Sequence, residues 1–387
     1  MVLLKKKVVL VIVLAFILSF SIAVLLPYIP LYGEDIGLSV SMIGYVVAVY
    51  HLAQFLGRIP MGSLTDIYGY GMIIGFGGLS LFLGMIFYII SPQFWPLLFI
   101  AQIMIGIVVC MEWVTLPSFV TRFGAESVPL FTFVVGWAYT FSVPLGGIIK
   151  DVLGMKSLFL LGLILSVPAL VIVFLIIKNG ESQDEKSQEE FVSVISLYKD
   201  AFKTLKNEKV LIASLYSFLM FMNFNIAFSL VPLYLSGLGF TATIIGGFQF
   251  ARMASASSIR LFSKRIETWI DKKSILITTA AFSGLALVFL SYIESLWFII
   301  SLAVLWGLIG GLYHPVVFEM IADGTTEEDR GKGMGIRGTL GTMGSFSGII
   351  IFSNIAELLT VRKSILLAGI SIVIGVILIE IYGRINS

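Results

Sequence analysis

Charge is scarce in this chain. Asp, Glu, Lys and Arg make up 12% of its 387 residues, about half the share of an ordinary soluble domain. So little polar surface cannot clothe a water-soluble globule of this length. Histidine occurs twice, at His51 and His314, and cysteine once, at Cys110. One cysteine excludes an intrachain disulfide and leaves the redox compartment open. Inside an apolar run, Cys110 reads as a small packed residue. The chain also lacks GxxxxGK(S/T), HExxH and GxSxG sequences and any cluster of metal ligands. It is therefore not expected to hydrolyse ATP, to act as an enzyme, or to need a cofactor. The formal net charge of +2 is too small to suggest a nucleic-acid partner.

Hydrophobic residues fill the space that charge leaves. They form 58% of the chain, and the mean hydropathy is +1.03. A bilayer core about 30 Å thick takes roughly 20 apolar residues per helix, and runs of that length recur throughout. Twelve spans are expected near 8–30, 40–63, 71–91, 95–119, 128–150, 157–178, 209–235, 242–264, 274–293, 296–321, 333–354 and 363–383. In lipid the backbone must bond internally, so each span is a helix. The N-terminal run after Lys5–Lys7 is too long for the core of a signal peptide and is read as a retained first span. With the N-terminus inside, the outer loops hold only Lys150, Lys156, Arg362 and Lys363. Arg58, Arg252 and Arg260 fall within spans, and the other basic residues, Arg337 included, fall on the inner side. This asymmetry predicts a plasma-membrane protein with both termini cytoplasmic.

One stretch occurs twice. PLYGEDIGLSVSMIGYVVAVYHLAQFLGR at 30–58 aligns without a gap with PLYLSGLGFTATIIGGFQFARMASASSIR at 232–260, an offset of 202. Pro30, Leu31, Tyr32, Gly37, Ile43, Gly44 and Arg58 meet identical residues at Pro232, Leu233, Tyr234, Gly239, Ile245, Gly246 and Arg260. A period this long marks a duplicated domain. The chain thus reads as an all-α membrane protein with twelve transmembrane helices in two pseudo-symmetric six-helix bundles, 1–178 and 209–387. A polar linker, 179–208, lies between them. Its NGESQDEKSQEE stretch is flexible by composition. Phe191, Ile195, Tyr198, Phe202 and Leu205 then repeat at helical spacing, as in an amphipathic helix on the inner membrane surface.

Six helices, a charged linker and six related helices resemble the major facilitator superfamily. Residues 62–71, GSLTDIYGYG, are similar to that family's loop motif: Gly62, Leu64, Asp66 and Gly69 match, while Ile67, Tyr70 and Gly71 replace its basic residues. Gly62 would let two helices approach closely, and Gly69 would supply a positive φ. The resemblance implies a gating contact in which Asp66 meets the start of the eleventh span near 331–335, with Arg122 as an ion-pair partner. SVPLGG at 142–147 departs from the antiporter signature of the family, and Gln102 stands where drug–proton antiporters carry arginine. Glycines Gly338, Gly341, Gly344 and Gly348 read as packing positions of the eleventh span.

Few polar groups lie inside the spans. A charge at the bilayer centre costs about 2.5–3.5 kcal/mol on insertion scales. Arg252, in mid-span, is either a cavity-facing cation for an anionic solute group or half of an interhelical ion pair. Glu112 and His314 are equivalent under the offset and lie in the fourth and tenth spans, which line the cavity in the family. Either could carry a proton, or each could be a satisfied interhelical hydrogen bond. Gly310, Gly311 and Pro315 suggest a bend beside His314. Ser21, its counterpart Asn223, and Asn225 could bond a solute or the backbone, and Tyr313 could help to wall a pocket. His51 reads as packed. Arg58 and Arg260 read as snorkelling cations or as inner-gate groups, with Glu319 a candidate partner for either. The expected function is secondary active transport of a small solute by alternating access, proton-coupled, by a lipid-embedded monomer. A uniporter or a non-transporting receptor on the same fold are the alternatives.

Overall fold

The repeated stretch is a piece of punctuation, and both copies fold the same way. Gly37 and Gly239 have φ of 78° and 86°, a conformation that costs other L-residues about 1–2 kcal/mol. Gly37 N–H bonds to Glu34 O and Leu38 N–H to Gly33 O, and Gly239 N–H to Ser236 O and Phe240 N–H to Leu235 O. This nested pair is the Schellman stop of a helix. The next helix starts at once. The hydroxyl of Ser39 accepts from Met42 N–H at 3.3 Å, and that of Thr241 from Ile244 N–H at 3.4 Å. The identities therefore mark one helix end, one left-handed glycine and one N-cap, used twice.

A computed structural model describes residues 2–122, 127–178, 194–326 and 329–386. Every regular element among them is helical. The first span comprises α1 (Val2–Ala23), a 3-10 turn (Leu26–Tyr28) and α2 (Ile29–Asp35). Next come α3 (Val40–Tyr68) and α4 (Tyr70–Ile90). The fourth span is broken into α5 (Leu97–Cys110), a π-helical turn (Met111–Thr115) and α6 (Leu116–Thr121). Helices α7 (Ser127–Leu153) and α8 (Met155–Lys178) complete the first six spans. Residues 179–193 of the expected linker lie outside the described residues. The amphipathic repeat after them forms α9 (Val194–Lys203) and a 3-10 turn (Thr204–Lys206).

The later spans begin with α10 (Glu208–Gly237), capped by the Asn207 side chain, and α11 (Ala242–Arg260). A short α12 (Ser263–Glu267) leads to α13 (Lys272–Leu290). The tenth span is broken too, into α14 (Leu296–Gly310) and α15 (Tyr313–Asp323). The expected bend beside His314 is this break. Helices α16 (Arg330–Leu358) and α17 (Val361–Asn386) end the chain. Eleven of the expected spans are long and apolar enough to cross a membrane. The other, α11, has 19 residues diluted by Gln249, Arg252, Ser255, Ser257 and Ser258.

The helices form two compact units, Met1–Tyr28 with Val49–Leu197, and Ile29–Ala48 with Tyr198–Ser387. Glycine lets helices within each unit touch. In the first, a Cβ on Gly146 of α7 would lie 2.4 Å from Val24 O, and one on Gly162 of α8 2.5 Å from Met85 Sδ in α4. Tyr88 and Phe159 stack between α4 and α8 with centroids 5.1 Å apart. In the second, Gly341, Gly344 and Gly348 of α16 meet Phe221, Phe218 O and Met222 of α10, as the glycine spacing predicts. Gly307 of α14 meets Arg252 O of α11, and Gly284 of α13 meets Gly369 O of α17. Exposed Phe, Ile, Leu and Val side chains cover the outer faces of the helices, as a chain solvated by lipid requires.

Candidate functional site

In the first unit the polar centre is a carboxylate at a helix irregularity. The π turn at Met111–Thr115 carries Glu112 as its second residue. Such turns widen the helix locally and recur at functional sites. Glu112 is fully buried. Its Oε1 accepts a short hydrogen bond from the Ser19 hydroxyl of α1, while Oε2 is buried without a hydrogen-bond partner among the described residues. Sequence reasoning missed Ser19, since no spacing connects it with a residue 93 positions away. Ser21 is satisfied locally, donating to Ile17 O at 2.7 Å. His51 is buried edge-on to Tyr50, with centroids 4.8 Å apart.

Between α3 and α4, Gly69 has the expected positive φ, 81°. Gly62 does not mark the expected close approach: a Cβ there would lie 3.9 Å from Val114, an ordinary contact. Gly57, against Cys110 Sγ at 2.9 Å, and Gly106, against Tyr50 O at 2.8 Å, take that role. Asp66 is exposed on the last turn of α3. The Arg122 guanidinium lies 4.3 Å from the centre of the Tyr70 ring, and the Tyr70 hydroxyl is 2.9 Å from Ser118 Oγ. Tyr70 thus occupies a position where the family motif is basic and engages the arginine through its ring. Arg58 is half-buried, within electrostatic reach of Tyr50 and Cys110.

The second unit collects cations. Arg252 is 6% exposed. Its Nε and Nη2 donate to Gln249 Oε1 at 3.2 and 2.8 Å. Its guanidinium carbon lies 5.2, 5.1 and 5.2 Å from the ring centres of Phe224, Phe228 and Trp306. Gln249, one turn before it, donates to Ala227 O and so fixes the arginine from below. No ion pair joins Arg252 to a carboxylate among the described residues. Asn223 Nδ2 donates to Ser283 O at 2.7 Å, tying α10 to α13. Asn225 donates to Phe221 O at 2.9 Å and to the Ser345 hydroxyl.

The break in the tenth span organises a second group. Tyr313 donates to Ser217 Oγ at 2.6 Å. His314 lies 4.9 Å from the Tyr313 ring centre and 6.1 Å from that of Phe318, within electrostatic reach of Arg260 and Arg337. Arg260 is exposed at the last residue of α11. It donates from Nε to Gly311 O at 3.3 Å, a carbonyl freed by the break. Glu319 pairs instead with Lys264 and Lys272, the latter at 3.3 Å. Outside the spans, Glu267 is raised above the ordinary carboxylate range, first by its burial and then by Glu319 beside it.

Arg337 corrects the sequence reading most sharply. It was expected on the inner side with the loop cations, yet it lies two turns inside α16 and is 7% exposed. Its guanidinium carbon is 4.7 Å from the Phe318 ring centre and 5.7 Å from that of Phe221. The available signal was position: Arg337 stands among Gly335, Gly338 and Gly341, on a helix whose small residues bring neighbours close.

Solved structures with this fold include the nucleoside transporter NupG, with TM-score 0.76, 13% identity and coverage of 97% of this chain and 99% of that one. A POT family transporter in complex with 5-aminolevulinic acid gives TM-score 0.78 at 11% identity, covering 97% and 96% of the two chains. One in complex with a thioalcohol-conjugated peptide gives 0.79 at 11%, covering 98% and 96%. These likenesses show the fold alone. No curated protein sequence matches the chain. The family model of the Major Facilitator Superfamily matches residues 11–293 and again 261–385. The chain therefore belongs to the major facilitator superfamily of membrane transporters.

Proposed function

We propose that the protein is a proton-coupled secondary transporter that moves a small solute across the plasma membrane by alternating access, as a monomer with both termini cytoplasmic. The observation that carries the coupling is Glu112. A carboxylate with one oxygen bonded to a serine and the other without a partner is costly to bury for packing alone. It is well suited to exchanging a proton. Ser19 positions the group, and the π turn gives its backbone an alternative register. His314, equivalent under the repeat and likewise at a helix break, is the second proton-handling candidate. Arg252 offers donors to the solute, and Asn225, whose amide hydrogens go to Phe221 O and the Ser345 hydroxyl, offers its carbonyl oxygen. Asn223, Ser21 and Tyr313 hold helices or their own backbone. Asp66, Arg122, Gly69 and Arg58 in the first unit are assigned to gating at the inner side, as is Arg260 in the second, where Glu319 is engaged by lysines. A nucleoside transporter and a transporter bound to 5-aminolevulinic acid share this fold, which supports a small polar solute.

Reconstituted vesicles test this. A pH gradient should drive solute accumulation by the wild type. Glu112→Gln should abolish accumulation against a gradient while leaving solute counterflow measurable. Proton-driven accumulation by Glu112→Gln at the wild-type rate would remove the carboxylate from the mechanism. Counterflow without any proton dependence in the wild type would make the protein a uniporter, and binding without movement would make it a receptor.

A further inference from the structure

Arg337 is buried with two of its three nitrogens, Nε and Nη1, lacking a hydrogen-bond acceptor among the described residues. The third side of the group is partly held, because the Tyr313 hydroxyl lies in hydrogen-bond reach of Arg337 and itself donates to Ser217. A desolvated guanidinium normally finds a carboxylate. Among the described residues no carboxylate pairs with Arg337, and several acids of this unit pair elsewhere: Glu319 and Asp323 with Lys272, Glu267 with Lys264, Glu380 with Lys273, Glu294 with Arg362 and Asp329 with Lys332. Rings over the guanidinium supply partial compensation but accept no N–H in its plane.

The rings follow one line. Phe221, Phe224 and Phe228 sit three and four residues apart, so they share one face of α10. Arg337 lies over the first and Arg252 over the other two. The two cations are thus strung along one aromatic stripe, roughly 7–8 Å apart in helix rise, and neither pairs with a carboxylate among the described residues.

We propose that Arg337 binds an oxyanion group of the solute, a carboxylate, phosphate or sulfonate, while Phe221 and Phe318 cover its less polar part. The planar fork of arginine suits such a group better than a point charge does. Arg252 lies farther along the stripe and adds positive potential. The inference deepens the transport reading and rests on it for the word solute, but the site itself is a binding claim.

The test is thermal unfolding of purified protein with benzoate, succinate and inorganic phosphate, each against a neutral control, benzamide, succinamide or glycerol. At least one anion should raise the melting temperature of the wild type where its control does not. Arg337→Gln should weaken that anion roughly tenfold to a hundredfold, and its ligand-free melting temperature should be unchanged or higher, since an unpaired buried charge has been removed. Arg337→Lys should retain part of the response. Equal shifts in wild type and Arg337→Gln, or no anion above its control, would overturn the proposal. So would proton-driven uptake of a neutral solute that Arg337→Gln leaves intact, and that result would leave the transport reading standing. Arg337-dependent anion binding without movement in vesicles would do the reverse.

Discussion

At the residue scale, two charged groups buried in the spans keep polar atoms without a hydrogen-bond partner among the described residues: Glu112 keeps one oxygen so and Arg337 two nitrogens. The other buried atoms in that condition within the spans include the hydroxyls of Ser214, Ser283 and Thr339, which carry no charge. The distinction separates structural from chemical roles more cleanly than residue type does. Asn223 and Ser21, attractive as solute ligands by type, spend their donors on Ser283 O and Ile17 O. The Ser19–Glu112 bond makes a sharp prediction. Ser19→Ala leaves both oxygens of the carboxylate without a partner and should cost about 1–3 kcal/mol of stability. Removing both polar partners, as in Ser19→Ala with Glu112→Met, should recover most of that loss, because a matched apolar pair leaves nothing unsatisfied. Unfolding curves of the single and double variants in detergent check it; an additive loss would mean that the bond carries no coupling.

At the element scale, helix ends were more legible than helix interiors. The repeat announced its helix stop and start through Gly37/Gly239 and Ser39/Thr241, because left-handed backbone and N-caps admit few residue types. Gly239→Ala should therefore cost about 1–2 kcal/mol by thermal unfolding. Gly247→Ala, inside α11 with open space around its Cβ position, should be neutral or stabilise by up to about 1 kcal/mol. If both variants behave alike, the turn does not depend on its glycine. The break in the tenth span was legible through Gly310, Gly311 and Pro315. The π turn was signalled only indirectly: MEWVT carries no residue that forbids a regular helix, but Pro117 beyond it removes the N–H that would bond Trp113 O. The site was half legible for a related reason. Glu112, His314 and Arg252 stand out in apolar runs, whereas Arg337 lies seven residues into its helix, where a cation commonly reaches water.

At the scale of the whole molecule, composition settled the class. A chain with 12% charged residues and this hydropathy has one solvent open to it, and in that solvent the backbone has one economical form. Twelve spans and an internal duplication then left little choice of architecture. The chemistry distributes itself with an acid in the first unit and cations in the second. If a monoanionic solute travels with a single proton, the loaded protein carries no net charge across the membrane. Uptake should then respond to a pH gradient and be indifferent to an imposed potential, although a moving unit charge would gain about 2.3 kcal/mol per 100 mV. Vesicles clamped with potassium and valinomycin measure this directly. Acceleration by a negative interior would show that more than one proton accompanies each anion.

The same span is interrupted in both copies of the duplication, by a π turn after Cys110 and by a gap in the helix after Gly310. A continuous helix behaves as a stiff rod and passes any tilt from one tip to the other. A rod with a joint near its waist does not. In each copy the regular α-helix is interrupted beside a titratable residue: Glu112 is the second residue of the π turn, and His314 lies just past the break after Gly310.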